Sequence, residues 1–113
     1  VDFGSGKGRV LLVAADFPFR RILGVEYSRE LHDICLGNIA VYRGDAQRCF
    51  DLASVCCDAG ALPLPEGPLV CYFYNPFHRE LLARVVERMV EKARRGDPVR
   101  AIYVEPEMAD LFS

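Results

Sequence analysis

Three glycines at alternate positions, Gly4, Gly6 and Gly8, sit within Val1-Asp2-Phe3-Gly4-Ser5-Gly6-Lys7-Gly8. A residue without a Cβ can take unusual dihedrals and bring its backbone directly against a ligand. Between an apolar run and a helix, such a turn presents backbone N–H groups to a nucleotide-like molecule. Two familiar forms of that chemistry do not fit the spacing. The dinucleotide fingerprint GxGxxG puts its third glycine one place later, where this chain has Arg9. The phosphate loop GxxxxGK[ST] fails on both sides, with Val1 or Asp2 where the first glycine belongs and Gly8 where the hydroxyl belongs.

Acids and one amide follow later apolar runs. Glu26 closes the run 22–26, and a carboxylate there can accept hydrogen bonds from both hydroxyls of a ribose. Tyr27, next to it, is a candidate to pack on a purine face. Asp58 follows 52–57, Asn75 follows 69–74 and Glu105 follows 99–104. His78 is the best-placed general base, with an ordinary helix-start histidine as the competing reading; His32 falls inside a helical segment and is given no role. The five cysteines form neither CxxC nor a Cys/His ligand spacing, which argues against a metal site. Cys56, Cys57 and Cys71 lie in apolar runs and read as small buried hydrophobes, so Cys71 is not expected to act as a nucleophile.

The elements that position these residues alternate between strand and helix. The glycine turn opens a short, all-round apolar helix over 9–15, stopped by Asp16-Phe17-Pro18. A second strand covers 22–26. Ser28 caps the next helix, with Glu30 in its first turn and Leu31, Ile34, Cys35, Asn38 and Ile39 on one face. A third strand covers 52–57, a proline-rich loop 60–68, and a charge-free fourth strand 69–74. Leu81, Leu82, Val85, Val86, Met89, Val90 and Ala93 recur at helical spacing over 80–95, ended by Gly96 and Pro98. A fifth strand covers 99–104. Strands alternating with helices imply right-handed βαβ units, and reversal of the winding direction implies strand order 3-2-1-4-5. Ligands of such sheets bind beyond the carboxyl ends of the strands, where Asp2 to Gly8, Glu26, Asp58, Asn75 and Glu105 all fall.

Composition sets the outer bounds. With 113 residues, 51% hydrophobic and 27% charged, the chain suits one globular domain. A net charge of −2 does not call for a polyanionic partner, and Arg20-Arg21 and Arg94-Arg95 read as solvated pairs. No apolar run approaches the roughly 20 residues of a membrane helix. Unpaired thiols point to a reducing, cytoplasmic compartment.

The glycine run together with Gly24-Val25-Glu26 resembles the first two motifs of class I S-adenosylmethionine-dependent methyltransferases: an apolar strand, an acid, GxGxG, then a strand ending in an acid. Cys57-Asp58-Ala59 is similar to the third motif and Tyr74-Asn75-Pro76-Phe77 to the fourth. The likeness spans nearly the whole chain. It implies an α/β fold, a Rossmann-like parallel sheet with helices on both faces, with S-adenosylmethionine as cofactor. It further implies that Asp2 and the turn Gly4, Ser5, Gly6 and Gly8 lie near the methionine moiety. Glu26 would hold the ribose, with Tyr27 beside it. Asp58 and Ala59 would face adenine, Asp45 being the lesser candidate, and Asn75 would lie nearest the transferred methyl. Two departures stand out. The fourth motif has one proline where amino-methylating members have two, and the family's two further strands, one antiparallel, are absent. A chain that begins almost inside its glycine motif is expected to be an incomplete domain, 1–113, of a longer protein. The expected activity is methyl transfer to an unidentified acceptor, a small molecule or protein ahead of nucleic acid. The alternatives are a cofactor-binding module without complete catalytic apparatus, and a nicotinamide-dependent oxidoreductase.

Overall fold

Short apolar runs, each followed by a helix, fold as the alternation predicts. The computed structural model describes residues 1–74 and 78–113. The strands are β1 (Asp2–Phe3), β2 (Ile22–Glu26), β3 (Leu52–Cys56), β4 (Leu69–Phe73) and β5 (Val99–Tyr103). The helices are α1 (Arg9–Ala14), α2 (Arg29–Val41) and α3 (Arg79–Arg94), with short 3₁₀ turns at Ala59–Ala61 and Ala109–Phe112. All five strands are parallel in the order β3-β2-β1-β4-β5, a Rossmann-like sheet with helices on both faces. The central strand β1 is only two residues long. Asp2 nevertheless pairs with both Gly24 and Tyr72, and Phe3 with both Val25 and Phe73.

Register and side-chain alternation sort the residues onto two faces. Phe3, Leu23, Val25, Leu69, Cys71 and Phe73 share one face, covered by Leu82, Val85, Val86 and Met89 of α3. Phe3 stacks on Phe73 at 5.1 Å between ring centroids, and Phe112 meets Phe73 edge-on at 5.7 Å. The other face carries a smaller cluster of Leu11, Ala15, Ile22, Cys35 and Cys49 beneath α1 and α2. Full burial of a Leu, Val, Phe or Met side chain contributes roughly 1.5–3 kcal/mol, so the α3 face supplies most of the apolar stabilisation.

Four expectations about burial need correction. The helix α1 is not buried all round: Leu11 is fully buried while Val13 is 62% exposed, because a six-residue helix lying on a sheet can turn only one stripe inward. On α2 the buried residues are His32 and Cys35, and Ile34 is 38% exposed. The inward stripe includes His32 because its Nδ1 pairs with the Ser54 hydroxyl at 2.8 Å. On α3, Val90 and Ala93 face outward and Lys92 is buried in line with Met89, its Nζ donating to Asp97 at 2.8 Å. A carboxylate from the following loop thus lets a lysine stem occupy a core position. Cys71 is fully buried as expected, whereas Cys56 and Cys57 are only half-buried, since β3 is an edge strand.

Gly24 lies where the sheet meets the glycine turn. A Cβ added there would stand 2.6 Å from Ser5 Oγ, 2.8 Å from Ser5 Cβ and 2.9 Å from Leu11 Cδ1. We expect Gly24→Ala to destabilise the fold by about 1–3 kcal/mol, the usual cost of overpacking. Urea unfolding monitored by circular dichroism checks this, and an unchanged midpoint would refute the close approach.

Candidate functional site

The glycine turn is docked on the end of β2 by its own backbone. Gly4 N and Ser5 N both donate to Val25 O, at 2.8 and 3.1 Å. This double contact requires a tight reversal directly after Phe3, and Gly4 and Gly6 meet it with φ of 81° and 55°. Glu26 completes the docking: Oε1 accepts from Gly6 N and Oε2 from Ser28 N, each at 2.8 Å. Ser28 in turn caps α2, its hydroxyl accepting from Leu31 N at 3.3 Å.

Beyond these strand ends lies a cavity of about 310 Å³. Its walls come from three consecutive strand ends: Gly4 after β1, Val25, Glu26 and Tyr27 at β2, and Cys57, Asp58 and Ala59 after β3. Leu81 of α3 closes the remaining side. The volume falls near the lower end of the roughly 300–1,000 Å³ usual for small-molecule sites. Tyr27 is 81% exposed, so its ring is open to a ligand. Asp58 caps the 3₁₀ turn, Oδ1 accepting from Gly60 N at 2.8 Å. Burial pushes the Cys57 thiol above its ordinary pKa, helped by the neighbouring Asp58 charge.

Of the residues singled out by sequence, Gly4, Glu26, Tyr27, Asp58 and Ala59 meet at this cavity. The others stand elsewhere. Gly6 is held by Glu26 in the turn. Gly8 caps α1 with φ of 91°, and a Cβ there would stand 2.6 Å from Cys35 Sγ, so its bareness serves helix packing. Ser5 is buried, and its hydroxyl has no hydrogen-bond partner among the described residues. Asp2 is buried in the central strand. Asp45 is exposed in the connection between α2 and β3. His78 is exposed at the N-terminus of α3 and makes no capping bond. Asn75 lies outside the described residues. Past β4 and β5, Tyr74 donates its hydroxyl to Glu105 at 2.6 Å, and that bond raises the phenol's pKa. Glu105 takes a left-handed backbone with φ of 49°.

Sequence reading missed two features. Ser54 hydrogen-bonds the ring of the buried His32, whose neighbour on the inward face of α2 is Cys35. Arg88 donates to the backbone carbonyls of Gly60 and Leu62, behind the Asp58–Ala59 wall. Among the described residues no cluster of three or more His, Cys, Asp or Glu is arranged to hold a metal ion, and no helix is long and apolar enough to cross a membrane.

Comparison of the chain with protein-family models, curated proteins and solved structures finds no match.

The Asp2 carboxyl is displaced from its ordinary state. Its pKa is raised to about 6, chiefly by burial; the N-terminal ammonium opposes the rise and Glu26 adds to it. The folded chain then keeps this proton up to about pH 6, while the unfolded chain releases it near pH 4. More protons bound by the folded state means that stability falls as pH rises between those values and levels off above them. We expect Asp2→Asn to remove that slope. Relative to wild type, the variant should gain up to about 3 kcal/mol between pH 4 and pH 7, from two pKa units at about 1.4 kcal/mol each. Denaturant titrations across this range test it, and parallel stability profiles for the two proteins would count against a raised Asp2 pKa.

Proposed function

We propose that the chain binds S-adenosylmethionine in the cavity at the carboxyl edge of the sheet and transfers its methyl group to an acceptor. The observation that carries this reading is the convergence of Gly4, Glu26, Tyr27, Asp58 and Ala59, drawn from three strand ends, on one cavity. The resemblance of the motifs to class I methyltransferases assigned these same residues to the cofactor.

The donor and acceptor chemistry fits. Each Glu26 oxygen accepts one backbone N–H, and a carboxylate oxygen has two lone pairs, so each keeps one for a ribose hydroxyl. Asp58 uses Oδ1 on its own turn, which leaves Oδ2 to accept from an exocyclic amine. Gly4 has no side chain to fill the space above the turn, and Tyr27 offers an aromatic face. A cavity of about 310 Å³ suits one nucleoside-bearing ligand better than a dinucleotide.

When bound, the cofactor supplies a methyl group activated on a sulfonium, which is a good leaving group. The protein's task is then largely alignment. Glu26 and Asp58 hold the two ends of the nucleoside, and the glycine turn lets backbone approach it. His78, exposed where α3 begins, is the group to take a proton from an acceptor that carries one. Asn75 is assigned to the acceptor side from its motif alone. The acceptor is a small molecule or a protein ahead of nucleic acid, because the chain carries a net charge of −2. All five cysteines are free, which suits a reducing compartment such as the cytoplasm.

Calorimetric titration with S-adenosylhomocysteine tests the reading. Glu26→Ala is expected to weaken binding by about 1–3 kcal/mol, roughly 5- to 150-fold in Kd, through loss of charged hydrogen bonds. Unchanged affinity would remove Glu26 from the site. Binding of NADH in place of S-adenosylhomocysteine by the wild-type chain would overturn the methyl-donor reading.

A further inference from the structure

We infer that Arg88 is the positioning residue for the purine side of the cavity, holding the Asp58–Ala59 wall at a set distance from Glu26. The ligand's identity in this inference rests on the methyl-donor reading above.

The connection from β3 to β4 has little backbone bonding of its own to keep it in place. It carries Pro63, Pro65 and Pro68, none of which has an N–H to donate. Its one helical turn is the 3₁₀ turn Ala59–Ala61. Ala59 and Leu62 are buried and Gly60 is half-buried, so the carbonyls of Gly60 and Leu62 gain from donors within the protein. Arg88 supplies these: Nη1 donates to Gly60 O at 2.7 Å and Nη2 to Leu62 O. A planar guanidinium presents two N–H directions at fixed spacing, so two bonds to alternate carbonyls fix the turn's orientation as well as its distance.

The same helix face reaches the cavity itself. Leu81, Arg84 and Arg88 recur at three- and four-residue spacing, a stripe beside the one that packs on the sheet. Leu81 lines the cavity. A Cβ at Gly60 would stand 3.1 Å from Leu81 Cδ1 and 3.2 Å from Arg84 Cζ, so the turn rests directly on this stripe. The turn is thus held at both ends. Asp58 Oδ1 closes it on the cavity side, and Arg88 anchors it to α3 on the other. Lysine would bring one compact charge without the fork and would hold one carbonyl at a time.

The test uses the full chain with Arg88→Ala, Arg88→Met and Arg88→Lys; the methionine variant keeps the packing stem should the alanine variant fail to fold. Amide hydrogen exchange is measured without ligand. Affinities are measured for S-adenosylhomocysteine and for S-inosylhomocysteine, which has an oxygen in place of the 6-amino group. We expect exchange over residues 58–64 to accelerate in the alanine and methionine variants, with β4 and the body of α3 unchanged. S-adenosylhomocysteine should bind about tenfold more weakly, and the wild-type preference for it over the inosyl probe should shrink to about twofold or less, with partial rescue by lysine. A merely structural arginine would leave that preference intact. Unchanged exchange over 58–64 overturns the clamp. Faster exchange with unaltered affinity and preference overturns the positioning role. If the wild-type chain binds neither probe, the methyl-donor reading falls and the purine-side role falls with it. That outcome is distinct from a wild type that binds and discriminates as its Arg88 variants do.

Discussion

The Glu26 carboxylate is the joint on which the carboxyl edge of the sheet depends. Its two oxygens accept N–H bonds from Gly6 and Ser28, which ties the glycine turn after β1 to the start of α2 through the last residue of β2. Bonds from backbone amides to a carboxylate are charge-assisted and stronger than neutral ones. The arrangement also sets a negative charge beside the N-terminus of α2, where the helix dipole favours it. One side chain therefore shapes the cavity and contributes acceptor atoms to it. The shape of the cavity and the placing of its acceptor atoms are coupled at this residue, because a change to its backbone bonds moves both.

The two faces of the sheet are built on different physics. The α3 face is apolar and closed by stacked rings, with Phe3, Phe73 and Phe112 at its centre. The face beneath α1 and α2 is mixed. It holds Asp2, Ser5, Cys35 and the linked pair His32 and Ser54. Buried polar groups of this kind stabilise a fold only when paired, and the histidine and Ser54 hydroxyl are paired. The glycines divide along the same line. Gly4 and Gly6 provide left-handed backbone close to the cavity. Gly8 and Gly24 provide room, since Cys35 reaches into the space of one and Ser5 and Leu11 into that of the other.

Much of the architecture was legible in the residues. Apolar runs bounded by glycine, proline and acids marked every strand, and the handedness of βαβ crossovers then left few orders for the sheet. Strand ends were legible to within about one residue, and with them the acids that face the carboxyl edge. Helix faces were less so. Periodicity put Ile34 and Ala93 inward, but those two are exposed, and His32 and Lys92 are buried instead. Each is held there by a partner that the helical pattern does not contain: Ser54 on β3 for one, Asp97 in a loop for the other. A polar residue's burial depends on a partner brought from another element, and local periodicity carries no record of that partner.

The sequence by itself determined the fold class, the strand order and the types of residue that stand at the strand ends. These follow from local apolar runs, turn residues and chain handedness, which act over short stretches. Only the tertiary structure decided which of those residues share a cavity. Gly4, Glu26, Tyr27, Asp58 and Ala59 meet there, while Gly8, Ser5 and Asp2 turn to packing within the sheet and against the helices. It also decided that Arg88, a charge on an amphipathic helix like several others in its sequence, spans to the carbonyls of Gly60 and Leu62. The reason is physical. Side-chain direction and carbonyl satisfaction are settled by which elements pack together, after the elements themselves have formed.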